Sequence, residues 1–116
     1  MNDTKQRRYE RKDSLNLVDY TILGEEKEPI THSMGRTINV SEAGMLLDTH
    51  IPLEKGQTIL ITVALEEDIV ELEGQIVHVR PCQEKGFCSG IEFAEIDEEG
   101  KRMLKKYIEV LALEQV

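Results

Sequence analysis

From Leu15 to Phe93 apolar and polar positions alternate in short runs separated by turn residues, which is the period of strands rather than helices. Leu15–Leu23 (LNLVDYTIL) alternates imperfectly and stops at Gly24 in the polar turn GEEKEP. Ile30–Val40 predicts a second strand, interrupted near Met34 and Gly35, whose last part, TINV, alternates well. Gly44–His50 (GMLLDTH) follows as a short third strand, closed by Pro52 and the turn EKG. Thr58–Leu65 (TILITVAL) is rich in β-branched residues, which fit a pleated, half-buried surface. Beyond the acidic turn EED, Ile69–Arg80 predicts a fifth strand, long enough to bend or bulge at Gly74, with Pro81 as its stop. Phe87–Phe93 makes a sixth.

The period then lengthens. Met103, Leu104, Tyr107, Ile108 and Leu111 fall at helical spacing, with Lys101, Arg102, Lys105, Lys106 and Glu109 on the opposite side. Asp97 predicts the N-cap, and Glu98 and Glu99 complement the helix dipole. Six short strands and one terminal amphipathic helix predict a mostly β fold, a small antiparallel barrel with the helix packed on it. No internal repeat is visible, and no βαβ alternation points to a parallel sheet.

Composition narrows the class. A chain of 116 residues, 40% hydrophobic and 32% charged, has the length of one domain and can bury an ordinary core without staples. No apolar run approaches the roughly 20 residues of a membrane span, so membrane insertion is not expected. The polar start, MNDTKQRRYERKD, lacks the apolar stretch of a secretory signal, and a cytoplasmic location is the expectation. Two cysteines, Cys82 and Cys88, are too few for a disulfide framework and agree with a reducing compartment.

Charge is unevenly spread. The formal net charge of −9 argues against general binding to nucleic acid or anionic lipid. Residues 1–12 nevertheless hold Lys5, Arg7, Arg8, Arg11 and Lys12 against Asp3 and Glu10, a local charge of +3. The other residues then carry nine basic and 21 acidic side chains. A short basic arm on an acidic body fits a site for one small anion, or else a solvated tail.

Catalytic constellations are missing from the sequence. His32, His50 and His78 are scattered over different strands without ligand-like spacing, and the two cysteines lack a second pair for zinc. There is no Gly-x-Ser-x-Gly elbow, no phosphate-binding Gly-x-x-x-x-Gly-Lys and no His-Glu-x-x-His. The carboxylates crowd into turns such as GEEKE and LEED, as solvated surface does. No enzyme is read here, and no metal or cofactor.

Two segments remain. In QRRYERK, Arg7 and Arg11 form an Arg-x-x-x-Arg pair with Arg8 between them. Guanidinium groups grip phosphate bidentately and stack on flat aromatic faces, so such a pair on a flexible arm suits a ligand that is both anionic and aromatic. The alternative is a basic tail that only aids solubility. The second segment is Asn39-Val40-Ser41-Glu42-Ala43-Gly44, between strands two and three. If Ile38 and Val40 face the core, Asn39 and Ser41 point outward together, and Gly44 permits a close backbone approach or a positive φ. The alternative is an Asx or Ser turn that uses the same residues for local hydrogen bonds.

Taken together, Arg-x-x-x-Arg before the first strand, Asn-x-Ser-x-x-Gly between the second and third, and a six-strand barrel with a C-terminal helix resemble the PilZ domain family. GQIVHVRP (Gly74–Pro81) and SGIEF (Ser89–Phe93) resemble the family's late strands, so the likeness runs from Gln6 through the helix. The resemblance implies a six-stranded antiparallel PilZ-type barrel over residues 13–116, with its helix at about 97–113, preceded by a flexible basic arm at 1–12.

It also implies a receptor for the bacterial second messenger cyclic diguanylate (cyclic di-GMP), acting in the cytoplasm through a separate protein partner. Carried over by motif, Arg7 and Arg11 would contact phosphate and the Hoogsteen edges or faces of the guanines, assisted by Arg8. Asn39 and Ser41 would bond a guanine edge and nearby phosphate, and Gly44 would keep that surface clear. His78 resembles a family position where a side chain lies against a guanine, and Arg80 is a further candidate; an exposed or half-buried strand histidine is the plain alternative for His78. The arm, with almost nothing apolar to anchor it, is expected to order over the barrel when ligand binds. The rival reading is a PilZ-type adaptor that works through protein contacts without nucleotide. A barrel for single-stranded DNA or RNA is disfavoured, because five aromatics and an acidic body supply neither stacking platforms nor a basic groove.

Overall fold

The computed structural model describes residues 16–65, 67–82 and 85–114. Among the described residues six strands, β1 (Leu17–Leu23), β2 (Pro29–Val40), β3 (Gly44–Thr49), β4 (Thr58–Leu65), β5 (Asp68–Pro81) and β6 (Phe87–Phe93), precede the helix Glu98–Glu114. Every pairing is antiparallel, and the order β1-β2-β3-β6-β5-β4 closes because β4 also pairs with β1. Closure satisfies the backbone donors and acceptors that an open sheet leaves at its edges. The long connection from β3 to β4 lets β6 lie beside β3, and so makes β2-β3-β6-β5 one continuous wall.

Alternation puts one face of each strand inside. Val18, Tyr20 and Ile22 of β1 meet Ile59, Ile61, Val63 and Leu65 of β4 and Val70, Leu72 and Ile76 of β5. The helix adds Leu104, Tyr107 and Leu111 to this core, at the spacing read from the sequence, with Met103 and Ile108 half-buried beside them. Full burial of each such side chain contributes about 1.5–3 kcal/mol, which holds the 17-residue helix against the barrel. Its start is capped as expected: the Gly100 amide donates to Asp97 Oδ1 at 2.7 Å.

Three local expectations are corrected. β2 runs unbroken through Met34 and Gly35, because Gly35 is pressed toward the Asp48 carbonyl of β3 and continues the ladder. Gly74 is not a bulge; a Cβ there would come within 2.7 Å of the Glu92 carbonyl, so the residue serves close packing, and the irregularity falls at Val77. Cys82 and Cys88, read as thiols of a reducing compartment, form a disulfide across the β5–β6 turn, with Cα atoms 5.0 Å apart. The hairpin brings them together: Arg80 pairs with Cys88, and the Cys82 amide donates to the Gly86 carbonyl at 2.9 Å.

Candidate ligand-binding wall

The outer face of β2-β3-β6-β5 depends on two bulges. In β2, Thr37 points inward, 2% exposed, where its hydroxyl accepts a hydrogen bond from Tyr107 Oη at 3.1 Å and lies 3.8 Å from Met45 Sδ. Strict alternation would then turn Asn39 inward as well. Instead the register slips between Thr37 and Asn39, so that Ile38 is the extra residue and Asn39 is exposed. The expectation that Ile38 faces the core is therefore corrected: it is 42% exposed, while Val40 does pack against the core. The outward placement of Asn39 holds, by a different route.

The same device recurs in β5. Ile76 is buried, Val77 is the extra residue at 37% exposure, and His78 then faces outward with Val79 half-buried. Asn39 pairs with Leu46, Leu46 with Gly90 and Gly90 with His78, which sets all four in one outward row. At roughly 4.8 Å between strands the row spans about 14 Å. Gly90 makes room for the His78 imidazole, which lies over it where a Cβ would collide. One outward rung further, Arg36, Asp48, Cys88 and Arg80 form a second row, with Arg36 and Arg80 exposed at its ends.

The turn after Asn39 is built locally. The Ser41 amide donates to the Gly44 carbonyl at 2.8 Å, and the Ala43 amide donates to Ser41 Oγ at 3.2 Å. The Ser41 hydroxyl itself lies 3.5 Å from the Gly44 carbonyl. The serine-turn reading of this segment is thus realised for Ser41, which stays exposed; Asn39 takes no part in those bonds. Gly44 does not adopt a positive φ; it is needed because a methyl group there would collide with the Ile91 carbonyl of β6. Arg7, Arg8 and Arg11 lie outside the described residues.

The structure thus brings Asn39, Ser41, Gly44, His78 and Arg80 to one wall. Leu46, Gly90 and Arg36 share it but were not singled out from the sequence. For Gly90 a signal existed, since SGIEF places it between Ser89 and Ile91, both inward. No group of three His, Cys, Asp or Glu side chains among the described residues could hold a metal ion. No helix among them is long and apolar enough to cross a membrane.

A closed six-stranded barrel, backed by a helix and offering its polar row on the outside rather than in a lumen, defines a class of small binding domain. The chain belongs to the PilZ domain family, whose model matches residues 5–110. Solved structures agree at the level of the fold. The PilZ domain of YcgR from Escherichia coli, determined with c-di-GMP, has a TM-score of 0.64 at 15% identity, covering 85% of this chain and 84% of that one. The PilZ domain of CeSA from a cellulose-synthesizing bacterium gives 0.59 at 11% identity, covering 83% and 93%. The Bacillus subtilis inhibitor of motility (MotI/DgrA) gives 0.62 at 17% identity, with 84% of this chain on 47% of that one. No curated protein sequence matches the chain.

Proposed function

We propose that this protein is a cyclic diguanylate receptor that binds the nucleotide on the outer wall of its barrel and relays the event to a protein partner through its N-terminal arm. The observation that carries the reading is the outward row from Asn39 to His78, at the strand end of an intact Asn-x-Ser-x-x-Gly segment, in a chain of the PilZ family that also keeps Arg-x-x-x-Arg. The ligand has two phosphates and two flat, edge-rich bases. It calls for forked cations, a short polar patch and a shallow floor. Arg7 and Arg11, assisted by Arg8, supply the cations; Asn39 and Ser41 supply the patch; Leu46 and the His78 ring lying over Gly90 supply the floor, bounded by Arg80.

Chain length permits the encounter. Arg11 lies six residues before Leu17, the first residue of β1, which pairs with Arg36 on the wall. Six extended residues reach about 20 Å, more than the row's own length. The net charge of −9 repels such an anion only at long range, because the Debye length at physiological salt is about 8 Å. In this reading residues 1–12 act as the moving arm and residues 13–116 as the scaffold, and the step is binding and ordering, with no chemical conversion. The proposed site of action is the cytoplasm, a compartment in which the Cys82–Cys88 bridge would be kept reduced.

One observation favours the adaptor reading: Ser41 already spends its hydroxyl on its own turn. Calorimetric titration with cyclic diguanylate, beside an Arg7→Ala/Arg11→Ala variant, separates the two. The receptor reading expects saturable binding that the double variant loses. A flat titration of folded protein would replace it with the adaptor.

A further inference from the structure

Beside the second outward row lies an open groove of about 1090 Å³, running from the start of β1 to the β5–β6 turn. Its charged lining is basic, Arg36 and Lys85 against the single carboxylate of Asp48, with His50 and His32 beside them, the latter 3.8 Å from Asp19 Oδ1. In an acidic protein this is unusual. The groove at the helix start sets Glu42, Glu92, Glu95 and Glu98 against three basic residues, and the one near β2's start sets Glu25, Glu26 and Glu28 against Lys55. Of these three grooves, only this one has a basic excess. Its apolar part is Leu17 and Met34, 41% and 50% exposed, one stiff and one adaptable.

We propose that this groove docks an acidic segment of a partner protein, one that carries an aliphatic side chain among its carboxylates. Charge complementarity selects the sign of the occupant. The protein's own residues 1–12 carry +3 and are repelled by Arg36 and Lys85. The exposed Leu17 and Met34 offer an anchor for an aliphatic group, and the groove's lining carries no Phe, Tyr or Trp, its only rings being the imidazoles of His32 and His50. The volume and openness also suit a length of chain better than a small ion.

The location gives the docking a regulatory consequence. Leu17 stands at the groove's rim where the basic arm enters β1, and Arg36 belongs both to the groove and to the wall's second row. An arm drawn toward the wall changes how exposed Leu17 and Arg36 are to a partner. Only this coupling rests on the receptor reading; the docking itself does not.

The test uses the full chain, isotope-labelled for amide NMR and free of nucleotide, titrated with an end-blocked peptide of sequence EELMEE and with its KKLMKK counterpart. Saturable shifts confined to residues 32–36, 48–50 and 85–86, from the acidic peptide alone, are expected. Arg36→Gln and Lys85→Gln should each weaken the interaction roughly two- to fivefold, the range of one exposed charge pair. Asp48→Asn should strengthen it by a similar factor, a direction that misfolding does not produce. Shifts on Lys101–Lys106 instead, no saturation by low-millimolar peptide, or displacement of the peptide by an equal concentration of inorganic phosphate would each overturn the proposal. Repeating the titration after adding cyclic diguanylate keeps the two readings apart, since docking without nucleotide stands even where the nucleotide titration is flat.

Discussion

Asn39 and His78 stand at opposite ends of one cross-strand row, and each faces outward only because the residue before it, Ile38 or Val77, is bulged out of register. Without those two extra residues both side chains would turn into the barrel. There the Asn39 amide and the His78 ring would require buried partners, at a cost of about 1–3 kcal/mol each if left unmet. The bulges instead expose two apolar residues, a smaller cost, and aim two polar groups at the same strip of surface.

Asn39 and Ser41 should separate in their effects although they belong to one motif. Asn39 takes no part in the turn, so Asn39→Ala should leave the unfolding midpoint nearly unchanged while weakening cyclic diguanylate binding by about 0.5–1.5 kcal/mol, roughly two- to tenfold. Ser41→Ala removes the acceptor of the Ala43 amide and should lower stability by about 0.5–1 kcal/mol as well as affinity. Urea unfolding and calorimetry on the same two variants decide this. Equal stability losses would contradict it.

Gly44 is held by packing rather than by ligand. A methyl group there meets the Ile91 carbonyl in the β3–β6 ladder, so Gly44→Ala should cost about 1–3 kcal/mol whether or not nucleotide is present. The measurement is chemical denaturation of the free protein. A variant of unchanged stability but lost binding would return Gly44 to the ligand surface.

The strand count, the helix and its cap were legible in the sequence because each rests on a period or a local hydrogen bond. The bulges were not. In RTINV and QIVHV the apolar residues are so closely spaced that either register places something apolar inside, and only the neighbouring strand decides which residue is extra. Thr37 shows the physics: a polar residue took the inward position because Tyr107, 70 residues away, supplies its hydrogen bond. Gly74 misled for the opposite reason, since a strand glycine signals a bulge or a close approach alike, and here Glu92 made it the latter. The motif residues were legible one by one, but the row that joins Asn39 to His78 depends on β6 lying beside β3, a non-local pairing no local pattern encodes.

The disulfide should be visible as stability. Closing the short loop from Cys82 to Cys88 removes chain entropy from the unfolded state worth roughly 2 kcal/mol, so a dithiol reductant should lower the unfolding midpoint accordingly. Cys82→Ser/Cys88→Ser should lie near the reduced wild type and not respond to reductant. An unchanged wild-type midpoint would mean that the two sulfurs are unpaired in solution.

Arm ordering predicts a change confined to the N-terminus. Amide exchange of residues 5–12 should slow at least tenfold on saturation with cyclic diguanylate, equivalent to about 1.4 kcal/mol of protection, while β4 exchanges as before. Exchange that is equally slow with and without nucleotide would rule out the relay and leave a fixed site.

Alkaline pH should weaken the fold through two tyrosines. Burial pushes the Tyr107 hydroxyl above its ordinary value of 10.0, and the Thr37 hydrogen bond opposes this without cancelling it. Burial moves Tyr20 in the same direction, against its hydrogen bond with Ser33. The native state therefore holds both protons more tightly than the unfolded chain does. By linkage, the stabilisation is complete below the unfolded value, near 10, and is lost as pH rises through the higher folded values. Urea midpoints followed from neutral pH to about pH 11 should fall steeply only at the alkaline end. Tyr107→Phe, which removes one proton and the bond to Thr37, should cost about 1 kcal/mol at neutral pH and make that fall shallower. A fall of undiminished slope in the variant would assign the alkaline transition to other groups.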